Sequence, residues 1–279
     1  MSVEHHTADF RHGRITMHVH RYGRGPGHLL AFHGFGRTGT DFAAVAPALA
    51  DRCVIHAFDL PFHGQSPAPD GGMPITPQEW VACIQAYVDQ IPAKEAAVLG
   101  YSLGGRMALL LLEQGAVWLR QVFLLAPDGL VVSPWFRRMV RYPWGRALGR
   151  TFIRHPGPVH GLMNLLHGIG LLHDRLYRFL MDQTATPRIR QLVYDVWAAT
   201  RLLEPDLGRA ARHAAARHIP VHLLLGEHDR VIKARYGKRL VKHAPKDIRL
   251  HVLPVGHRML DAGMGRKLAN LWDVGQGGS

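Results

Sequence analysis

Short, mostly apolar runs alternate along this chain with longer stretches in which apolar residues recur at helical spacing. The short runs are His28 to Phe32, Cys53 to Phe58, Ala96 to Leu99, Gln121 to Leu125 and Val221 to Leu225, and each predicts a strand, buried in the case of His28 to Phe32 and Ala96 to Leu99; Ile248 to Leu253 predicts the last strand. Arg14 to His20 differs: Ile15, Met17 and Val19 alternate with polar residues, the pattern of an antiparallel strand with one buried face. Helical spacing is read over Asp41 to Ala50, from Leu103 onward, and near 206–217, 233–242 and 266–272. Thr76-Pro77-Gln78-Glu79 forms a capping box with proline at the first helical position, which predicts a helix running to about Gln90. The tail from Gly275 to Ser279 predicts disorder. Strands alternating with helices predict an α/β fold: a mostly parallel central sheet covered by helices on both faces. Ligands in such sheets bind at the carboxyl ends of the strands.

The alternation stops between Leu130 and Leu203. Strand signals vanish, and aromatic residues and arginines accompany apolar residues at helical spacing, as in Leu192, Val193, Val196 and Trp197. The expected organisation is a core of residues 1–129 and 204–279 with an inserted helical cap, 130–203. The cap holds eleven arginines and three aspartates, a surplus of eight positive charges.

Candidate chemistry sits where strands end. Gly100-Tyr101-Ser102-Leu103-Gly104 lies between a strand and a helix, the pattern of a nucleophile elbow. A sharp turn there holds a serine hydroxyl clear of the backbone, and a side chain on either flanking glycine would obstruct it. A serine hydroxyl needs a neighbouring base to become a nucleophile. His257, following Pro254-Val255-Gly256 after the last strand, is the candidate base, because imidazole titrates near neutrality. Asp229, in Gly226-Glu227-His228-Asp229, is the candidate acid that orients it; Glu227 and Asp128 are its rivals. The pairs His18 with His20 and His222 with His228 lack a third ligand, so no metal site is expected. No cofactor motif is present.

These groups follow the order Ser102, Asp229, His257, and five motifs fall in register after predicted strands. They are His33-Gly34-Phe35-Gly36, Asp59-Leu60-Pro61-Phe62-His63-Gly64-Gln65-Ser66, Gly100-Tyr101-Ser102-Leu103-Gly104-Gly105, Gly226-Glu227-His228-Asp229 and Gly256-His257. On them the chain resembles the α/β-hydrolase superfamily over nearly its full length. The resemblance implies that the backbone N–H groups of Phe35 and Leu103 form an oxyanion hole. It implies hydrolysis of a small ester-like substrate through an acyl-enzyme. His33, Gly34, Tyr101 and Arg106 are the candidate substrate-binding residues, with His33 expected to shape the oxyanion loop through hydrogen bonds rather than to act on substrate. In some superfamily members the acid comes from the position of Asp128. Tyr101 to Arg106, together with His33-Gly34-Phe35, also looks like the menaquinone-pathway synthase family that eliminates pyruvate; there the arginine binds a carboxylate, which makes a carbon–carbon lyase the alternative. Some members of the superfamily keep the fold as non-catalytic receptors, a third reading that a complete triad argues against.

Composition adds limits. The chain has 279 residues and a formal net charge of +13. No nucleic-acid-binding module accompanies that charge, so a small molecule is the expected partner. Two cysteines outside any C-x-x-C fit a reducing compartment, and the first residues lack a basic then apolar leader, so a cytoplasmic location is expected. The longest uncharged run, His155 to His173, holds four glycines, two prolines and four histidines, which disfavours a membrane span. The cap aromatics Trp135, Phe136, Trp144 and Phe152, set among arginines, suggest a weak contact with an anionic membrane surface.

Overall fold

The computed structural model describes residues 3–131, 138, 141–174, 177, 178, 181, 184–244 and 246–272. The chain divides into two compact units, one formed by Met1–Val131 and Leu203–Ser279 and the other by Val132–Leu202.

In the first unit the apolar runs become one eight-stranded sheet of order β1-β2-β4-β3-β5-β6-β7-β8. The strands are β1 His5–His12, β2 Ile15–Tyr22, β3 Gly27–Phe32, β4 Cys53–Phe58, β5 Ala96–Tyr101, β6 Leu119–Leu125, β7 Val221–Gly226 and β8 Ile248–Leu253. β1 and β2 pair antiparallel, as do β2 and β4; all other pairs are parallel. The inner parallel strands β3 to β7 are largely buried on both faces, which is why they read as apolar runs, whereas β8, at the other edge, leaves Arg249 and Val252 exposed. β1 is the strand that the hydrophobic pattern does not reveal. Its sequence is polar and only Phe10 is buried, because it lies at the sheet edge and is held by backbone pairing to β2.

Helices cover the sheet. α1 is Ala46–Leu49, α2 Pro77–Val88 and α3 Leu103–Glu113. α2 starts as expected: Thr76 Oγ1 accepts from Glu79 N–H, and the Glu79 carboxylate accepts from Thr76 N–H. On one face of the sheet Trp80 of α2 packs edge-on against Phe32 of β3, and its indole N–H donates to the Met107 carbonyl of α3. On the other face Leu29, Ile55, Leu99, Phe123 and Leu224 form a core with Phe42, Leu49, Leu268 and Trp272.

The second unit holds α4 Pro143–Arg154, α5 Gly157–Gly168 and α6 Pro187–Ala199 among its described residues. Gly149 of α4 lies against the ring of Tyr194 on α6, and the buried Arg190 donates to the carbonyls of Ile153 and Thr184. Phe152 packs edge-on against His160 of α5.

The chain returns to the first unit with α7 Leu207–Ala216, α8 Lys238–Val241 and α9 Ala262–Asn270. Gly129 and Pro205, either side of the second unit, sit in contact: a Cβ on Gly129 would lie 3.0 Å from Pro205 Cγ. α9 begins four residues earlier than the apolar spacing indicates. Its start is set by Asp261, whose carboxylate caps Met264 N–H, and Gly265 lets it approach the Val45 backbone. The apolar stretches over 41–50 and 233–242 form a 3₁₀ turn followed by a single α turn in each case, in place of one continuous helix. Among the described residues no helix is long and apolar enough to cross a membrane.

Candidate active site

Strand register brings the candidate residues to one edge of the sheet. Phe32 pairs with Gly100, Tyr101 with Leu125, Leu125 with Leu224, and Gly226 with Leu253. The residues immediately beyond these positions are therefore neighbours at the carboxyl ends of β3, β5, β6, β7 and β8. They include His33, Ser102, Asp128, Asp229 and His257.

Ser102 occupies the turn between β5 and α3 with φ 51° and ψ −114°, a conformation that costs a non-glycine residue about 1–3 kcal/mol. The flanking glycines allow it. A Cβ on Gly104 would lie far inside van der Waals contact with the Phe32 carbonyl oxygen, and one on Gly100 would lie 2.5 Å from the Gly104 carbonyl oxygen. The turn is tied down by backbone bonds: Ser102 N–H donates to Leu125 O (2.9 Å), Gly104 N–H to His33 O (2.9 Å) and Asp128 N–H to Ser102 O (2.8 Å).

His257 Nε2 lies 3.2 Å from Ser102 Oγ, and its Nδ1 lies 2.7 Å from Asp229 Oδ2. The Asp229 side chain is fully buried, and its other oxygen accepts from the N–H groups of Val231 (2.7 Å) and Ile232 (2.9 Å). Burial pushes this carboxyl up, but the His257 hydrogen bond and the two backbone donors outweigh it and hold the group below the usual carboxylate range. The carboxylate is thus an anion against which the His257 Nδ1–H is fixed. Nε2 is the ring nitrogen that faces the serine.

Asp128 and Arg106 take a different role from the one their sequence positions suggest. Arg106, one turn along α3 from Ser102, forms an ion pair with Asp128 Oδ2, while Asp128 Oδ1 accepts from Gly129 N–H. Arg106 is therefore not a free carboxylate receptor. The pair joins the elbow helix to the loop after β6, and the Asp128 N–H holds the Ser102 carbonyl.

His33 lies inside the loop that follows β3. It is fully buried, its Nδ1–H donates to the Gly34 carbonyl (2.7 Å), and its Nε2 accepts from Leu60 N–H (2.9 Å). With both nitrogens engaged inside the protein it shapes the loop and does not face a ligand. His63 does the same one step on: its Nδ1–H donates to Pro61 O (3.1 Å) and its Nε2 accepts from Gly36 N–H (3.0 Å). Asp59 completes the scaffold by accepting from Gly39 N–H and Gln65 N–H. His63 and Asp59 were visible only as members of a motif. Between these anchors the Phe35 N–H has no acceptor among the described residues. Nor does the N–H of Leu103, at the first position of α3, have an intrahelical one. Gly34 faces the serine, since a Cβ there would lie 3.2 Å from Ser102 Cβ. The Tyr101 hydroxyl donates to the His257 carbonyl (3.0 Å), a position that fixes the loop carrying the imidazole. Among the described residues no group of three or more His, Cys, Asp or Glu could hold a metal ion.

The buried imidazoles predict an acid-sensitive fold. Burial pushes His33 down to about 3, and it does the same to His56, whose Nδ1 lies 2.7 Å from the Tyr87 hydroxyl. In the unfolded chain both protonate near 6.5. Their lowered folded values mean that stability is complete above that pH and is lost as pH falls from about 6.5 toward 3. At pH 5 each histidine is expected to cost about 2 kcal/mol. Denaturant unfolding at pH 7.5 and 5.0, a window above the carboxylates, measures this; equal stabilities would refute it.

Comparison with known proteins follows the same architecture. The sequence signature described as "Alpha/beta hydrolase family" fits residues 29–269. The chain is 25% identical over 232 residues to the uncharacterized hydrolase YugF of Bacillus subtilis, covering 82% of each chain. It is 39% identical over 94 residues to the pimeloyl-[acyl-carrier protein] methyl ester esterase of Chromobacterium violaceum, about a third (34%) of each chain. Among solved structures, the 2-hydroxy-6-oxo-6-phenylhexa-2,4-dienoate hydrolase of Rhodococcus sp. superposes with TM-score 0.65 at 20% identity, covering 96% of this chain and 98% of that one.

Proposed function

The chain belongs to the alpha/beta hydrolase family and is a hydrolase; from that premise we propose that it cleaves small carboxylic esters through Ser102, His257 and Asp229. The observation that carries the reading is the unbroken hydrogen-bond chain from Ser102 Oγ through the imidazole to a buried carboxylate.

In this reading Ser102 Oγ attacks the ester carbonyl as His257 Nε2 takes its proton. The carbonyl oxygen becomes an oxyanion that accepts from the N–H groups of Phe35 and Leu103. One such preorganised donor stabilises the transition state by about 3 kcal/mol. Collapse expels the alcohol, protonated by His257, and leaves an acyl-enzyme. Water, deprotonated by the same imidazole, releases the acid. Asp229 keeps the imidazole in the tautomer that accepts from serine and stabilises the imidazolium. The name of the Chromobacterium relative puts methyl esters first among substrates to try. A cytoplasmic setting is part of this reading and is supported by the two buried free thiols, Cys53 and Cys83.

The test is intact-mass measurement after treatment with a fluorophosphonate, followed by a panel of methyl and longer-chain alkyl esters of neutral and dicarboxylic acids. One adduct on the wild type, none on Ser102→Ala, and turnover of at least one ester class are expected. A folded wild-type protein that takes no adduct and cleaves no ester would overturn the reading.

A further inference from the structure

We propose that the second unit docks on an anionic lipid surface through the exposed faces of α4 and α5. Residues 144, 148, 151 and 155 follow the spacing of one helical face on α4, and there Trp144 and Leu148 are more than half exposed. Arg150 and Arg154 border that face. Together with Ala147, Thr151 and His155 they line a cavity of about 330 Å³. On α5, Leu162, Leu165 and the C-cap residue Ile169 recur at i, i+3 and i+7, all more than half exposed, while Met163 on the opposite side is buried. A stripe of exposed leucine and isoleucine is unfavourable in water and marks a contact surface.

Of the aromatic residues that suggested such a contact, Trp144 lies on the exposed face. Phe152 packs inward on His160, and Trp135 and Phe136 lie outside the described residues.

Charge selects the occupant. Val132–Leu202 holds eleven arginines, no lysine, three aspartates and no glutamate. A second copy would bring the same surplus of eight positive charges against it. An anionic bilayer accepts both features: the aliphatic stripe and tryptophan enter the boundary between headgroups and acyl chains, and the arginines meet lipid phosphates. Arg150 also donates to the Tyr194 hydroxyl, a neutral partner that leaves its charge uncompensated.

Co-sedimentation of the full chain with phosphatidylcholine vesicles, with or without phosphatidylglycerol, tests this at low and high salt. Binding is expected to require phosphatidylglycerol and to fall as salt rises. Arg150→Gln with Arg154→Gln should weaken it about 25-fold, about fivefold per arginine. Leu162→Ser with Leu165→Ser should weaken it by about tenfold or more per leucine. Circular dichroism and turnover of a soluble ester should be unchanged in both variants. Absence of wild-type binding to phosphatidylglycerol at low salt would overturn the proposal without reference to any variant. Binding unaffected by the leucine substitutions, or a salt-stable dimer that the leucine substitutions dissolve and that ignores vesicles, would do so as well. Capture of an acidic soluble protein on this face, with no partition to vesicles, would reassign the surface to a protein partner.

Discussion

Ser102→Ala is expected to lower kcat/KM for the best ester by at least about 10⁴-fold while the protein stays folded. The size follows from what is removed. The side chain at 102 supplies the attacking oxygen, and its bonded partner is His257 Nε2 at 3.2 Å. The oxyanion donors are backbone groups and survive the change, so a small residual rate over water remains. Stability should move by about 1 kcal/mol or less, because alanine inherits the same positive φ and the hydroxyl is replaced without opening a large cavity. Turnover within tenfold of wild type would put the nucleophile elsewhere.

Asp229→Asn is expected to cost about 10⁴-fold in kcat, and Asp128→Asn less than about tenfold. In the first variant the amide oxygen of the new side chain can still accept from Val231 and Ile232, so its NH₂ group is left facing His257 Nδ1. That ring nitrogen must then become the acceptor, the proton moves to Nε2, and the imidazole can no longer take one from Ser102. Asp128 has no such link: its carboxylate is spent on Arg106 and Gly129. Steady-state kinetics on both variants decides the point. A severe Asp128→Asn with a mild Asp229→Asn would move the acid to the end of β6.

The frame of this protein was legible wherever burial forces a pattern. Parallel strands buried on both faces must be apolar throughout, and Thr76 with Glu79 announces α2 by residue type alone. The elbow was legible because a strained turn demands glycine at 100 and 104. What stayed hidden depends on partners far along the chain. β1 is polar because its stability comes from main-chain pairing at an edge, which no hydrophobic pattern reports. Arg106 and Asp128 are 22 residues apart, and nothing local tells whether a guanidinium near a nucleophile awaits a ligand or already has a carboxylate. His33 and His63 belong to the same class. The motif position of His33 pointed to a loop-shaping role, but only the Leu60 and Gly36 N–H donors show which backbone groups the two imidazoles hold. α9 started early because one aspartate cap outweighed two glycines.

The contact between Gly129 and Pro205 has a consequence for how the molecule tolerates change. The first unit sees everything between those residues as one closed loop. Loop-closure entropy grows only with the logarithm of length, so doubling or halving such a loop changes the core's free energy by about 0.6 kcal/mol. The insertion can therefore be lengthened, shortened or exchanged between relatives at little cost to the sheet that carries the serine.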